Sequence, residues 1–128
     1  MRIVVDASAL VAILLKEPDA ASYLDKLLLA DRAWISPVNW WEVQARILSR
    51  YGTAGAAESE KWMEANGVKV EPVGAEQARI AFSALAQYKS RPARLNLGDC
   101  FAYALAKTKQ APLLFKGNDF QGTDIEAA

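Results

Sequence analysis

The first seven residues after the initiator, Arg-Ile-Val-Val-Asp-Ala-Ser, hold an apolar run that stops at a carboxylate. A strand apolar only at alternate positions needs one covered face. A strand apolar at consecutive positions, as at Ile3, Val4 and Val5, needs two. The same character returns in "AWIS" (33–36) and "PLLFK" (112–116), and "VKVEPV" (68–73) reads as a further strand. Strands of this kind, joined by helical crossovers, predict a parallel sheet covered on both sides.

Helical signals fill the intervals. Ser8 is placed to cap a helix over "ALVAILL", and Pro18 opens a second one over "EPDAASYLDKLLLAD". Ser36 and Pro37 start a third helix that Gly52 stops, and "TAGAAESEKWMEANG" forms a fourth, closed by Asn66-Gly67. "GAEQARIAFSALAQY" and "LGDCFAYALAKTK" supply two more, the last apolar almost all round. "KSRPARLN" is a basic loop, and "GNDFQGTDIEAA" a turn-rich tail in which Thr123-Asp124-Ile125 begins a short final strand. The order predicts a three-layer α/β sandwich over residues 1–128, with four to five short parallel strands flanked by helices. A chain of 128 residues is one domain and buries roughly two-thirds of its unfolded surface.

Composition narrows the chemistry. There is no His, which removes Ser-His-Asp and Cys-His catalysis, His-ligated zinc and a histidine acid–base pair for 2′-hydroxyl attack in RNA. One Cys, Cys100, removes an internal disulfide and a thiolate zinc site and points to a reducing cytoplasm. No apolar run reaches the ~20 residues of a membrane span, and no signal peptide is evident. For a hydrolase, carboxylates with a hard cation are the remaining apparatus.

Four acids stand out, each with a plain alternative. Asp6 sits where β-sheet ligands gather, beyond a strand's carboxyl end, but could simply cap the next turn. Glu42 lies beside the apolar stripe Val38, Trp41, Ala45, Leu48, but could pair with Arg46 four residues on. Asp99 stands at the mouth of the most apolar helix and, with Asn96, also forms a capping box. Asp119 follows Asn118 in a turn, where such pairs are common. Spacing alone does not bring the four together. If they converge, their repulsion of about 4 kcal/mol per close pair calls for a cation.

Net charge is zero, with 15 basic and 15 acidic residues, but the charges are unevenly spread. From Tyr88 to Lys116, Lys89, Arg91, Arg94, Lys107, Lys109 and Lys116 face Asp99 alone, a basic edge suited to phosphates. Tyr23, Leu27, Trp62 and Met63 are large apolar groups that would mark an interface if exposed, or core if not.

"VVDASAL", "NWWEVQARIL", "LNLGDCFAYALAK" and "LLFKGNDFQGTDI" together resemble the PIN-domain family, most closely its VapC-type toxins, from residue 2 to about 125. The resemblance implies a metal-dependent endoribonuclease toxin. It places the family's acids on Asp6, Glu42, Asp99 and Asp119. Mg²⁺ or Mn²⁺ would be held by Asp6, Asp99 and Asp119, with Glu42 as a further ligand and Asp124 as the reserve. Ser8 and Asn118 would support the ligands from behind, and Lys89, Arg91, Arg94 and Lys116 would contact RNA. It further implies a homodimer bound by a cognate antitoxin. Arg91-Pro92 stands where such toxins often have His-Pro, so substrate preference does not carry over through this loop. Two other readings remain. An Asp-nucleophile phosphatase would often carry a second Asp at position 8, where this chain has Ser. A non-catalytic RNA- or protein-binding module on the same fold would tolerate loss of an acid, and none of the four is lost.

Overall fold

In the computed structural model, which describes residues 1–90 and 92–128, strand β1 (Arg2–Val5) lies inside the sheet. It pairs in parallel with β2 (Arg32–Ile35) on one side and β4 (Leu113–Leu114) on the other. β3 (Val68–Val70) pairs outside β2, so the order is β3-β2-β1-β4. Five helices cover the sheet: α1 (Ala7–Leu14), α2 (Ala20–Leu29), α3 (Pro37–Ala65), α4 (Ala75–Gln87) and α5 (Leu97–Lys109). This is the three-layer parallel architecture expected. Successive side chains of a strand point to opposite faces. Ile3 and Val5 therefore enter one core with Leu10, Val43 and Ile47, while Val4 enters the other with Ala84, Ala102 and Leu105.

Several local expectations change. Asp6, not Ser8, caps α1, because the helix begins at once after β1 and the Asp6 carboxylate accepts from Ser8 N. The final strand expected at Thr123 shrinks to one parallel bridge, Leu113 to Ala127, since residues 117–124 are bends and turns. On α3 the buried stripe is Asn39, Val43 and Ile47, whereas Trp41 and Leu48 of the expected stripe are 66% and 48% exposed. The buried stripe carries polar Asn39, whose amide bonds Glu42 and Gly98, and packing against α1, β3 and α5 turned that stripe inward. Met63 and Leu27 are core, and Trp62 and Tyr23 pack against it, so these four are not a free interface.

Gly52 divides α3 as the sequence predicts. Its backbone (φ 72°, ψ −170°) is non-helical, and Gln44 Nε2 donates to Ala56 O at 2.8 Å across it. In a straight helix residues 12 apart would stand about 18 Å from each other, so the chain doubles back here. That backbone region is open essentially to glycine alone. A Cβ at Gly52 would meet nothing within 4 Å, so the cost of a side chain is conformational rather than steric. Gly52→Ala is expected to destabilise by about 1–3 kcal/mol, read as a lower urea midpoint with an unchanged m-value.

Candidate functional site

The chain adds β2 and β3 on one side of β1 and then crosses to add β4 on the other. The strand order thus reverses between β1 and β4, and open parallel sheets form their ligand crevice at that point, beyond the carboxyl ends. Asp6 is the first residue past β1, 5% exposed, with its backbone N bonded to Leu114 O at 2.9 Å. Its Oδ2 accepts from Ser8 N at 3.0 Å and from Ser8 Oγ at 2.6 Å. The same hydroxyl accepts from Lys116 N at 2.9 Å, just past β4. Ser8 therefore joins the ends of the two strands and fixes the Asp6 carboxylate between them. The capping role and a place in the crevice coexist.

α5 brings Asp99 to the same end. Asn96 Oδ1 accepts from Asp99 N at 2.8 Å, and Asp99 Oδ2 accepts from Asn96 N at 3.1 Å, a complete capping box. Asp99 is 7% exposed, as expected for an acid at the mouth of a buried helix. Glu42 reaches this helix start from α3. Its Oε1 accepts from Asn39 Nδ2 at 2.9 Å, and that same amide donates to Gly98 O at 2.9 Å. The carboxylate lies so close to Gly98 that a Cβ there would collide with both of its oxygens. Among the described residues Glu42 has no ion pair with Arg46; Asn39 is its partner.

Asp6, Glu42 and Asp99 each sense another acid of the set. Burial raises the Asp6 carboxyl above its usual range, opposed by the Ser8 bonds and aided by the charge of Asp119. Burial likewise raises Glu42, opposed by Asn39 and aided by Asp6. Asp99 is pushed up to about 7 by burial first, with Asp6, Asp119 and Glu42 adding to the effect and the Asn96 backbone opposing it. Among the described residues, no three His, Cys, Asp or Glu side chains stand close enough to hold one ion outright. The donor set is all oxygen and negative. It fits a hard divalent cation that keeps part of its water shell, as Mg²⁺ does when one or two carboxylates bind it.

Asp119 is exposed and lines an open cleft of about 510 Å³ with Pro92, Arg94, Asn118 and Gln121. Asn118 thus borders the same cleft as Asp119. Asp124, the reserve ligand, is held elsewhere: it accepts from Tyr103 Oη at 2.7 Å and Lys107 Nζ at 2.7 Å. Its carboxyl is lowered by those partners. The basic edge is also partly neutralised. Lys107 pairs with Asp124, Lys109 with Glu71 at 2.6 Å, and Lys116 with Glu17 and Asp19 at 2.6 and 3.0 Å. Lys89 and Arg94 are exposed with no ion pair among the described residues. Arg91 lies outside the described residues. Sequence reasoning missed Asn39 and Gly98. A polar residue one turn before Glu42, and a glycine inside a helix's first turn, were the available signals.

A family model of the PIN domain matches residues 3–126. A ribonuclease VapC from Mycolicibacterium smegmatis is 44% identical over 127 residues, covering 97% of this chain and 98% of that protein. Ribonuclease VapC30 of Mycobacterium tuberculosis is 43% identical over 124 residues, covering 95% of each. Among solved structures, M. tuberculosis VapC20, described as a sarcin-ricin loop cleaving toxin, superposes with a TM-score of 0.81 at 18% identity, covering 98% of each chain. Rickettsia felis VapBC2, bound to a DNA fragment from its promoter, gives 0.77 at 13% identity, covering 99% of this chain and 96% of that one. These two share the fold.

The raised carboxyls have a consequence for stability. Between an unfolded value near 3.8 and a folded value of about 7, Asp99 keeps a proton in the folded chain that the unfolded chain has released. Stability therefore falls as pH rises across that window. In EDTA, urea midpoints are expected to decline from pH 4 to 7, and Asp99→Asn to make the decline shallower. Midpoints that rise over that range would show the acids are not mutually strained.

Proposed function

Because the chain belongs to the PIN-domain family, and within it to the VapC ribonucleases, we propose that it is a metal-dependent endoribonuclease toxin restrained by a cognate antitoxin. The observation that supports this reading is the gathering of Asp6, Glu42 and Asp99, each raised first by burial and further by the charge of another acid, at the one point where the sheet reverses its order, with Asp119 acting on Asp6 and Asp99. Asp6, Asp99 and Asp119 would hold Mg²⁺ or Mn²⁺, in part through waters of its shell, with Glu42 as a further ligand directly or through water. When bound, the cation supplies a water of lowered pKa and positive charge against the phosphate.

The chain's own residues set the geometry. Ser8 and the Asn96 backbone each fix one carboxylate oxygen, Oδ2 of Asp6 and Oδ2 of Asp99. Asn39 occupies Glu42 Oε1, so Oε2 is available to take a proton from an attacking water. Water attacking the phosphorus in line with a departing 3′-oxygen would leave a 5′-phosphate and a 3′-hydroxyl. Arg94, beside Asp119 in the open cleft, contacts the RNA backbone, with exposed Lys89 as a further phosphate contact. Lys116 contributes by bracing Glu17 and Asp19 rather than by meeting RNA.

The working form is a homodimer, and the exposed apolar groups suggest its face. Phe82 and Leu97 are 70% and 69% exposed and, with Leu85, Cys100 and Phe101, border a shallow apolar pocket of about 280 Å³ between α4 and α5. Leu97 precedes the Gly98 that Glu42 lies against, so the patch adjoins the crevice.

Asp99→Asn is expected to abolish Mn²⁺-dependent cleavage of RNA while keeping the circular dichroism spectrum; wild-type cleavage by this variant would reduce Asp99 to a cap. Light scattering at micromolar concentration is expected to give twice 14.0 kDa for the wild type and the monomer mass for Phe82→Glu/Leu97→Glu. A wild-type monomer would refute the dimer.

A further inference from the structure

Asp124 has more partners than a solvent-facing tail residue needs. Its Oδ1 accepts from Tyr103 Oη at 2.7 Å and from Tyr88 Oη at 3.3 Å, and its Oδ2 from Lys107 Nζ at 2.7 Å. Tyr103 and Lys107 follow Asp99 by four and eight residues, so the three share one face of α5. The carboxylate of Asp124 is thus fastened to the helix face whose first turn presents Asp99. An exposed Lys–Asp pair adds little to global stability, and both members here are about half exposed. Tyr103, in contrast, is 6% exposed, and its hydroxyl has Asp124 as its partner.

The other end of the same segment is fastened too. Lys116 N donates to Ser8 Oγ, and Lys116 Nζ binds Glu17 and Asp19. Between the two anchors, Phe120 is buried against Phe115 with ring centroids 4.9 Å apart. Gly122 has φ +86° and passes so close to Pro92 that a Cβ would meet its Cγ at 2.6 Å. Asp119 is the acid carried by this doubly anchored loop. One anchor leads through Ser8 to Asp6, and the other leads along α5 to Asp99.

We propose that Asp124, with Tyr103 and Lys107, is a positioning clasp that sets the loop 117–123 so that Asp119 faces Asp6 and Asp99; it acts through Asp119 and does not itself touch the metal. This rests on the reading of Asp119 as a member of the site. The clasp works by geometry: it converts a tail turn into a loop whose two ends are referenced to the two buried acids. Residues that orient a ligand from behind characteristically shift metal affinity by 10–100-fold.

The test uses the full chain and Mn²⁺ alone as the probe. Calorimetric Mn²⁺ affinity and amide hydrogen exchange of residues 117–123 are compared in Asp124→Asn, Tyr103→Phe, Lys107→Met and Lys107→Arg, far below each melting midpoint. The clasp predicts roughly tenfold weaker Mn²⁺ binding and faster exchange in 117–123 for the first three, with exchange in α5 unchanged. Lys107→Arg, which keeps the ion pair, is expected to match wild type. Should Asp124→Asn fail to fold, Tyr103→Phe keeps the ring in the core and carries the same prediction. Unchanged affinity and exchange in Tyr103→Phe and Lys107→Met, alongside lost binding in Asp119→Asn, would overturn the clasp and leave the site standing. Wild-type affinity in Asp119→Asn would instead overturn the site assignment, and the role of Asp124 with it.

Discussion

β1 is covered on both faces and hydrogen-bonded on both edges, and the positions of the other elements follow from that. Ile3 and Val5 draw α1 and α3 to one side, and Val4 draws α5 to the other. Removing these side chains from water contributes on the order of 1.5–3 kcal/mol each. From Ile3 onward the strand has no solvent-facing side for a polar residue until it ends. Asp6 is therefore placed at the sheet's carboxyl edge by the same packing that makes the sheet central, and β4 joins β1 on the flank that opens the crevice.

Gathering acids there works against the folded state. Each of Asp6, Glu42 and Asp99 is raised by burial and by another acid of the set. The structure offsets this with donors fixed in place before any cation arrives: Ser8 for Asp6, the Asn96 backbone for Asp99, and the Asn39 amide for Glu42. Each donor takes one oxygen and holds the side chain in one rotamer. The strain that remains is what a divalent cation would relieve, so stability and metal affinity are linked through the same carboxylates.

The basic residues show how tertiary pairing revises a one-dimensional count. Six cations against one acid between Tyr88 and Lys116 looked like a continuous track. Yet Lys107, Lys109 and Lys116 find their partners in Asp124, Glu71, and Glu17 with Asp19, all outside that segment. Arg94 is left beside Asp119. Charge that clusters in sequence need not cluster in space, because folding brings distant acids to it.

What the amino-acid order determined was whatever depends on local physics. Consecutive apolar residues required buried strands, Ser36-Pro37 and Gly52 bounded a helix, and Asn96 with Asp99 built a cap, because these effects act within a few residues. The element order and the parallel sheet were readable on those grounds. Tertiary structure alone decided which stripe of α3 turned inward, since Val38, Trp41 and Leu48 were more apolar than Asn39, Val43 and Ile47, and Asn39 is held inside by partners on Glu42 and Gly98. It also decided that Glu42 would lie against Gly98, 56 positions away, and that Asp124 would bind Tyr103 and Lys107 while Asp119 lined the open cleft beside Arg94. Those outcomes depend on how helices and tail dock against the sheet, and no spacing along the chain encodes the distance between residues that meet only after docking.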